Sequence, residues 1–216
     1  VEYGKEVKED NMSFPENLAS TLSGVSTSQL YRWRKKGLLV PEASKSSPAL
    51  YSFRDIIALR TMAFLRSKVS FQKIRKAFEN LHEYDLYEHP SAYKFGSDGK
   101  TVVAEAGGEV IDLVLKPGQM EAFTMEEIFQ PFTNMHGETV VDLRHPMPRL
   151  EVNPKRMGGW PTIAGTRVPY DSVSSLLADK FYSPEHVSHF YPTVDVEGAR
   201  DALAFDELVG ARKRGA

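Results

Sequence analysis

The chain has 216 residues, 41% of them hydrophobic and 11% aromatic, which suits one large or two to three small packed domains. It has no cysteine, which excludes disulfides, thiol catalysis, iron–sulfur clusters and cysteine-type zinc sites. The formal net charge of −2 conceals an uneven distribution. Between Thr21 and His82 stand twelve lysines and arginines against three acids, Glu42, Asp55 and Glu79, and the remaining residues are correspondingly acidic. A basic block of this kind is the footprint of a phosphate-backbone binder, and a merely solvated face is the plainer alternative. No apolar run approaches the ~18 residues of a membrane span, and Val1–Asp10 is charged where a secretory signal would be apolar. No membrane contact and a cytoplasmic location are therefore expected.

In chain order, residues 14–82 read as short helices with one extended interruption. Pro15–Leu22 suits a helix stopped by Gly24. Ser26 and Gln29 form a capping-box pair that starts a second helix over Thr27–Lys36, ended by Gly37. The short Gly24-Val25 link is that of a helix-turn-helix. From Leu38 through Pro41 and a Ser/Lys/Pro stretch to Leu50-Tyr51 the chain reads as a two-stranded wing with Lys45 near its tip. Ser52 with Asp55 caps a third helix, and Ser70 a fourth whose Ile74, Ala77, Phe78 and Leu81 share one face.

Residues 93–150 turn β-rich. The Asp98-Gly99 turn leads into Thr101–Glu105, and Gly107-Gly108 into Glu109–Leu115, whose apolar residues on both faces predict a strand covered on both sides. Thr124 and Glu127 cap a helix to about Phe132, and Val140–Leu143 suits a further strand. The apolar strands make this segment a linker or the dimerisation element. Residues 153–210 are helical again after a shaped loop, Met157–Pro169, with Thr162-Ile163 extended. Val173, Leu176 and Leu177 mark one helix, Ser183-Pro184 starts another, and Thr193 or Asp195 opens the last. The basic residues after Val209 read as a frayed, solvated end. The whole is α+β and mostly helical: a winged helix-turn-helix, a β-rich middle and a small helical module.

The helix over Thr27–Lys36 has the division of labour that groove binding demands. Leu30 and Trp33 can anchor it, Arg32, Lys35 and Lys36 form one basic ridge, and Thr27 and Ser28 offer short polar groups to phosphates or base edges. These five, with Lys45 in the wing, are the candidate DNA contacts. Gly24-Val25-Ser26, Leu30, Trp33, Gly37-Leu38-Leu39, Pro41 and Tyr51–Ile56 resemble, in order and spacing, the DNA-binding domain of MerR regulators. That resemblance implies a major-groove role for the second helix and a backbone contact for the wing. It departs from the family at Tyr31, where an arginine is usual, and at Ala49, where a basic residue is usual; Arg32 and Lys45 are the nearest substitutes.

The stretch Gly159–Pro169, with Ser183–Glu185, Tyr191-Pro192 and Ala202-Leu203, resembles the domain of unknown function 433. Such modules are related to helix-turn-helix folds and are common in antitoxins beside PIN-domain ribonuclease toxins of the VapC class. The combination resembles the larger mycobacterial VapB-type antitoxins. It implies a homodimer that binds duplex operator DNA and neutralises a PIN-domain toxin. Arg167, held between Gly165 and Pro169, is suited to bidentate pairing with the acidic residues of such a nuclease, with Thr166 and Trp160 beside it as candidate partner contacts. The bland alternative is a loop that only ties itself to its own helices. A MerR-like transcription factor sensing a small molecule through its C-terminal half is the rival function.

Enzymatic readings find little support. His186 and His189 with Glu185 mimic metal ligands without a third partner at suitable spacing, and Gly107-Gly108 and Gly158-Gly159 lack the ending of a phosphate loop. No cofactor, no metal and no catalysis are expected.

Overall fold

The computed structural model describes residues 13–46, 48–97, 99–114 and 125–214. About 47% of the described residues are helical, with small sheets. The first part holds β1 (Phe14–Pro15), α1 (Glu16–Ser23), α2 (Thr27–Lys35), β2 (Leu50–Tyr51), α3 (Phe53–Arg66) and α4 (Phe71–Asn80). Both capping boxes form. Ser26 Oγ accepts the Gln29 N–H while Gln29 Oε1 accepts the Ser26 N–H, and Ser52 and Asp55 repeat the exchange at α3. Gly24, at φ 76°, ends α1 in the left-handed conformation.

The wing differs from expectation. Among the described residues its two arms meet only in a bridge between Ser44 and Leu50, and β2 pairs instead with β1, Tyr51 opposite Phe14. Pro41 and Pro48 withhold ladder donors from the arms. Phe14 and Tyr51 are almost fully buried, so burial favours the β1–β2 pairing.

In the middle part β3 (Lys94–Gly96), β4 (Val103–Ala106) and β5 (Glu109–Asp112) form one antiparallel sheet in that order. Asp98 of the turn and Leu115 of the expected strand lie outside the described residues. The sheet docks on α4 through Phe95, whose ring stacks on Phe78 at 5.0 Å, and Asn80 Nδ2 donates to the Leu113 carbonyl. β5 is an edge strand and Val110 is half exposed, so the expected cover on both faces is not found there. α5 (Met125–Phe129) stops short of Phe132 because Pro131 follows and Phe132 opens β6 (Phe132–Thr133), which pairs with β7 (Thr139–Val140). Thr124, its expected cap, is outside the described residues.

The last part pairs β8 (Leu150–Glu151) with β9 (Thr162–Ile163) and continues through α6 (Tyr170–Leu177), α7 (Val187–Phe190) and α8 (Val196–Arg214). Asp195 Oδ1 accepts the Gly198 N–H at the start of α8. Ala199, Ala202, Phe205 and Val209 bury one face of α8, which packs on both α6 and α1. The C-terminal end is therefore not frayed: α8 continues to Arg214, and Arg212 pairs with Glu138 at 2.8 Å.

One side chain ties the first and middle parts together. Arg60 of α3 is fully buried, and its guanidinium donates to five main-chain carbonyls, of Leu22, Ile128, Phe129, Gln130 and Val141, at 2.5–3.2 Å. Burial pulls its pKa down to about 10, which leaves it charged near neutrality. Arg60 thus leaves the set of basic residues available to DNA.

Candidate nucleic-acid interface

Gln29, Leu30 and Trp33 turn α2 inward, and the Trp33 ring stacks on Phe71 of α4 at 5.7 Å. The opposite face is open. Ser28, Tyr31, Arg32, Lys35 and Lys36 are exposed, and Thr27 and Arg34 partly so. Arg32 Nε donates to the Ser28 carbonyl one turn back, which lays its guanidinium along the helix. Arg34 and Lys35 flank the half-exposed Tyr31 ring at 5.6 and 5.7 Å. Lys36 is the C-cap residue of α2, and Lys45 stands exposed in the wing. Ala49 is buried, so a charged side chain there would be driven into the core.

The fold adds Arg66, which sequence reasoning did not place. Burial and the nearby Arg32 charge lower its pKa, and its guanidinium lies 5.0 Å from the Phe71 ring centre. Mutual repulsion between the Arg32 and Arg66 charges is relieved by a polyanion. Only the C-terminal end of α3 next to α2 makes this pair, and local sequence carries no sign of it.

The β6–β7 turn sits on the helix-turn-helix itself. Asn134 Nδ2 donates to the Gly24 carbonyl, while its Oδ1 accepts the His136 and Glu138 N–H groups. A Cβ on Gly24 would stand 2.3 Å from Val140 Cγ2. At the tip, Gln29 Nε2 donates to His136 Nε2 at 3.3 Å, which leaves the His136 proton on Nδ1.

In the last part Gly165–Arg167 forms the tip of a tight turn closed by Ile163 N–H to Val168 O and Thr166 N–H to Ile163 O. Thr166 Oγ1 donates to the Ile163 carbonyl and accepts the Val168 N–H, so Thr166 braces the loop. Glu151, which sequence reasoning missed, holds it from below: its carboxylate accepts from Gly165 N–H, Asn153 and Arg156. The Gly165 bond first, then those of Asn153 and Arg156, keep its pKa below the usual value. Arg167 is exposed and has no hydrogen-bond or ion-pair partner among the described residues. Trp160 has different surroundings: its half-buried ring lies 5.7 Å from Phe14 and 6.4 Å from Tyr170, and Nε1–H donates to Asp171. It joins the last part to the first, where Gly159 also abuts Phe53.

Glu42, Asp55 and His89 bring one ligand atom each within 4.8 Å, the one such group among the described residues. Their atoms are engaged internally. Asp55 Oδ2 accepts the Ser52 and Glu42 N–H groups, His89 Nε2 meets Asp55 Oδ1, and Glu42 takes Ser52 and Arg54. His89 abuts a cavity of about 590 Å³ that runs from Gly37–Val40 and Glu42 to Phe78, Glu79, His82 and Leu86–Pro90. His186 and His189 bind Ser183 and the His186 carbonyl instead of converging on a common point.

Residues 17–81 match the family model described as MerR HTH family regulatory protein, and residues 150–205 match that of a protein of unknown function, DUF433. The chain carries a MerR-type helix-turn-helix domain at its N-terminal end and a DUF433 module at its C-terminal end. The first is the domain of a DNA-binding regulator. No curated protein matches the sequence. Among solved structures, the X-ray crystal structure of Rv2018 from Mycobacterium tuberculosis shares the fold at a TM-score of 0.53 and 18% identity, over 91% of this chain and 99% of that one. No helix among the described residues is long and apolar enough to cross a membrane.

Proposed function

We propose that a chain with this pair of domains is the antitoxin of a type II toxin–antitoxin pair. As a homodimer it binds operator DNA through α2 and the wing, and through its last part it neutralises a PIN-domain ribonuclease. It performs no catalysis itself. The observation that carries the toxin half is Arg167: an exposed, uncommitted guanidinium on a turn braced by Thr166 and Glu151. A guanidinium carried on a braced turn fits a cluster of metal-binding carboxylates better than one on a mobile loop, because less backbone entropy is lost on docking. The charge division supports the same reading, since the basic face can grip phosphate while the acidic remainder meets a nuclease built to handle RNA.

Arg167→Ala and Arg167→Lys test it against the PIN-domain ribonuclease of the adjacent reading frame. Both variants keep the wild-type melting temperature and DNA affinity. Alanine weakens neutralisation by roughly 30- to 4,000-fold, the equivalent of about 2–5 kcal/mol for one partner of a buried charged pair. Lysine restores only part, since it cannot make two parallel hydrogen bonds. Wild-type neutralisation by both variants, or the lack of such a reading frame, overturns the toxin half.

The cavity beside the wing favours a second reading, a transcription factor responding to a small molecule, with the site in the N-terminal half. Two of the three acids in the basic segment, Glu42 and Glu79, line it, and the third, Asp55, is bonded to its His89. An organic cation that raises the melting temperature and shifts DNA affinity supports this reading.

A further inference from the structure

We propose that Tyr31 is the specificity-determining residue of α2 and reads thymine in the major groove through the C5-methyl group. The proposal rests on the reading of α2 as the groove helix. Three observations carry it. First, Tyr31 stands on the crest of the helix. At about 100° per residue, Gln29, Leu30 and Trp33 centre the buried face, and the line opposite them runs through Ser28, Tyr31 and Lys35. Second, the ring is open to solvent. It is half exposed, Ser28 one turn earlier is too short to cover it, and the Arg32 side chain is drawn back along the helix by its bond to the Ser28 carbonyl. Third, Arg34 and Lys35 place their cations 5.6 and 5.7 Å from the ring centre, which steadies the ring and sets positive charge beside it.

The chemistry of the outer face favours thymine as the base that is read. Cations on phosphates position a helix on the duplex, whereas sequence is read at the base edges. Thr27, Ser28, Arg32, Arg34, Lys35 and Lys36 are short and polar or cationic, so Tyr31 brings the one large apolar surface to this face of α2. In the major groove thymine alone among the bases presents an apolar group, its C5-methyl, and apolar side chains meet it there. An arginine at the same place would carry a planar fork for O6 and N7 of guanine instead, so the residue at position 31 sets which base is preferred.

Selection of the full chain on duplexes of about 30 base pairs with a randomised centre, long enough for two half-sites one helical turn apart, tests this, with fluorescence anisotropy on the enriched duplex. Wild type should enrich a thymine in each half-site, and deoxyuridine in its place should weaken binding about fourfold, the value of one buried methyl group. Tyr31→Ala should lose the preference at that position, keep those at the others, and bind thymine and deoxyuridine alike. Tyr31→Phe keeps the ring without the phenol oxygen and should keep the thymine, and Tyr31→Arg should exchange it for guanine. Tyr31 is exposed and none of these residues breaks a helix, so all three variants should fold. The assignment is refuted if Tyr31→Ala still enriches the thymine, if it weakens every duplex alike, or if wild type enriches no sequence. Loss of the thymine by Tyr31→Phe refutes the methyl contact, since the phenol oxygen then carries the preference. Arg32→Ala/Lys35→Ala reports separately on α2. If that variant loses affinity and salt dependence while Tyr31→Ala keeps the wild-type sequence, Tyr31 is refuted and the groove-helix reading stands. If Arg32→Ala/Lys35→Ala itself binds like wild type, the groove-helix reading fails and the Tyr31 assignment with it.

Discussion

Arg60→Met separates the role of the buried guanidinium from that of its hydrocarbon stem. Methionine fills much of the same channel and keeps contact with the Phe132 ring, which now lies 5.1 Å from the guanidinium carbon. It leaves without their donor five carbonyls drawn from the end of α1, the end of α5 and the residue after it, and the residue that follows β7. Each unsatisfied buried carbonyl costs about 1–3 kcal/mol, but several will find water once the joint loosens, and desolvating the charge is no longer required. The net loss is about 3–5 kcal/mol, the figure for breaking a buried charged interaction. For a chain of this size, with roughly 2–4 °C per kcal/mol, the melting temperature should fall by about 6–20 °C. Because four of the five carbonyls belong to residues 128–130 and 141, limited proteolysis should open the middle part first while α1–α4 stay protected. Circular dichroism melts and timed digests measure both. A melting temperature within about 1 °C of wild type, or cleavage spread evenly along the chain, refutes the reasoning.

Two further predictions concern the same joint and its neighbour. Gly24→Ala combines a left-handed backbone with a Cβ that meets Val140 at 2.3 Å, so it should destabilise by about 2 kcal/mol or more; Val140→Ala in the same chain should cancel part of that loss, as a double-mutant cycle by urea denaturation reads out. Burial, with Glu16 adding, pushes the Tyr51 phenol up to about 12, so the folded state holds its proton more tightly than the unfolded state. That contribution is complete below pH 10 and is lost as pH rises through about 12, and Tyr51→Phe should flatten this alkaline decline while leaving stability at pH 7 nearly unchanged, which melts at graded pH will check.

Local sequence determined the elements whose signals are local. Ser26 with Gln29, and Ser52 with Asp55, exchange hydrogen bonds with residues three positions away, so the two capping boxes could be read directly and are present. The inward face of α2 follows from helical period, and so does the exposure of Arg32, Lys35 and Lys36. What the tertiary structure decided is which distant surfaces meet. Arg60 counts in the sequence as one of a dozen surface bases; its burial depends on carbonyls 68 to 81 residues further on, which no local pattern encodes. Leu50-Tyr51 could pair with either wing arm or with Phe14–Pro15, and the burial of two aromatic rings settled the choice. Trp160 beside a glycine-rich loop reads equally as an exposed anchor or an internal joint until Phe14 is placed against it. Arg212 reads as frayed until α8 delivers it to Glu138, 74 residues away in sequence. Capping and periodicity constrain a backbone within a few residues, whereas side-chain burial is set by the packing of whole elements, and that information exists only in the folded chain.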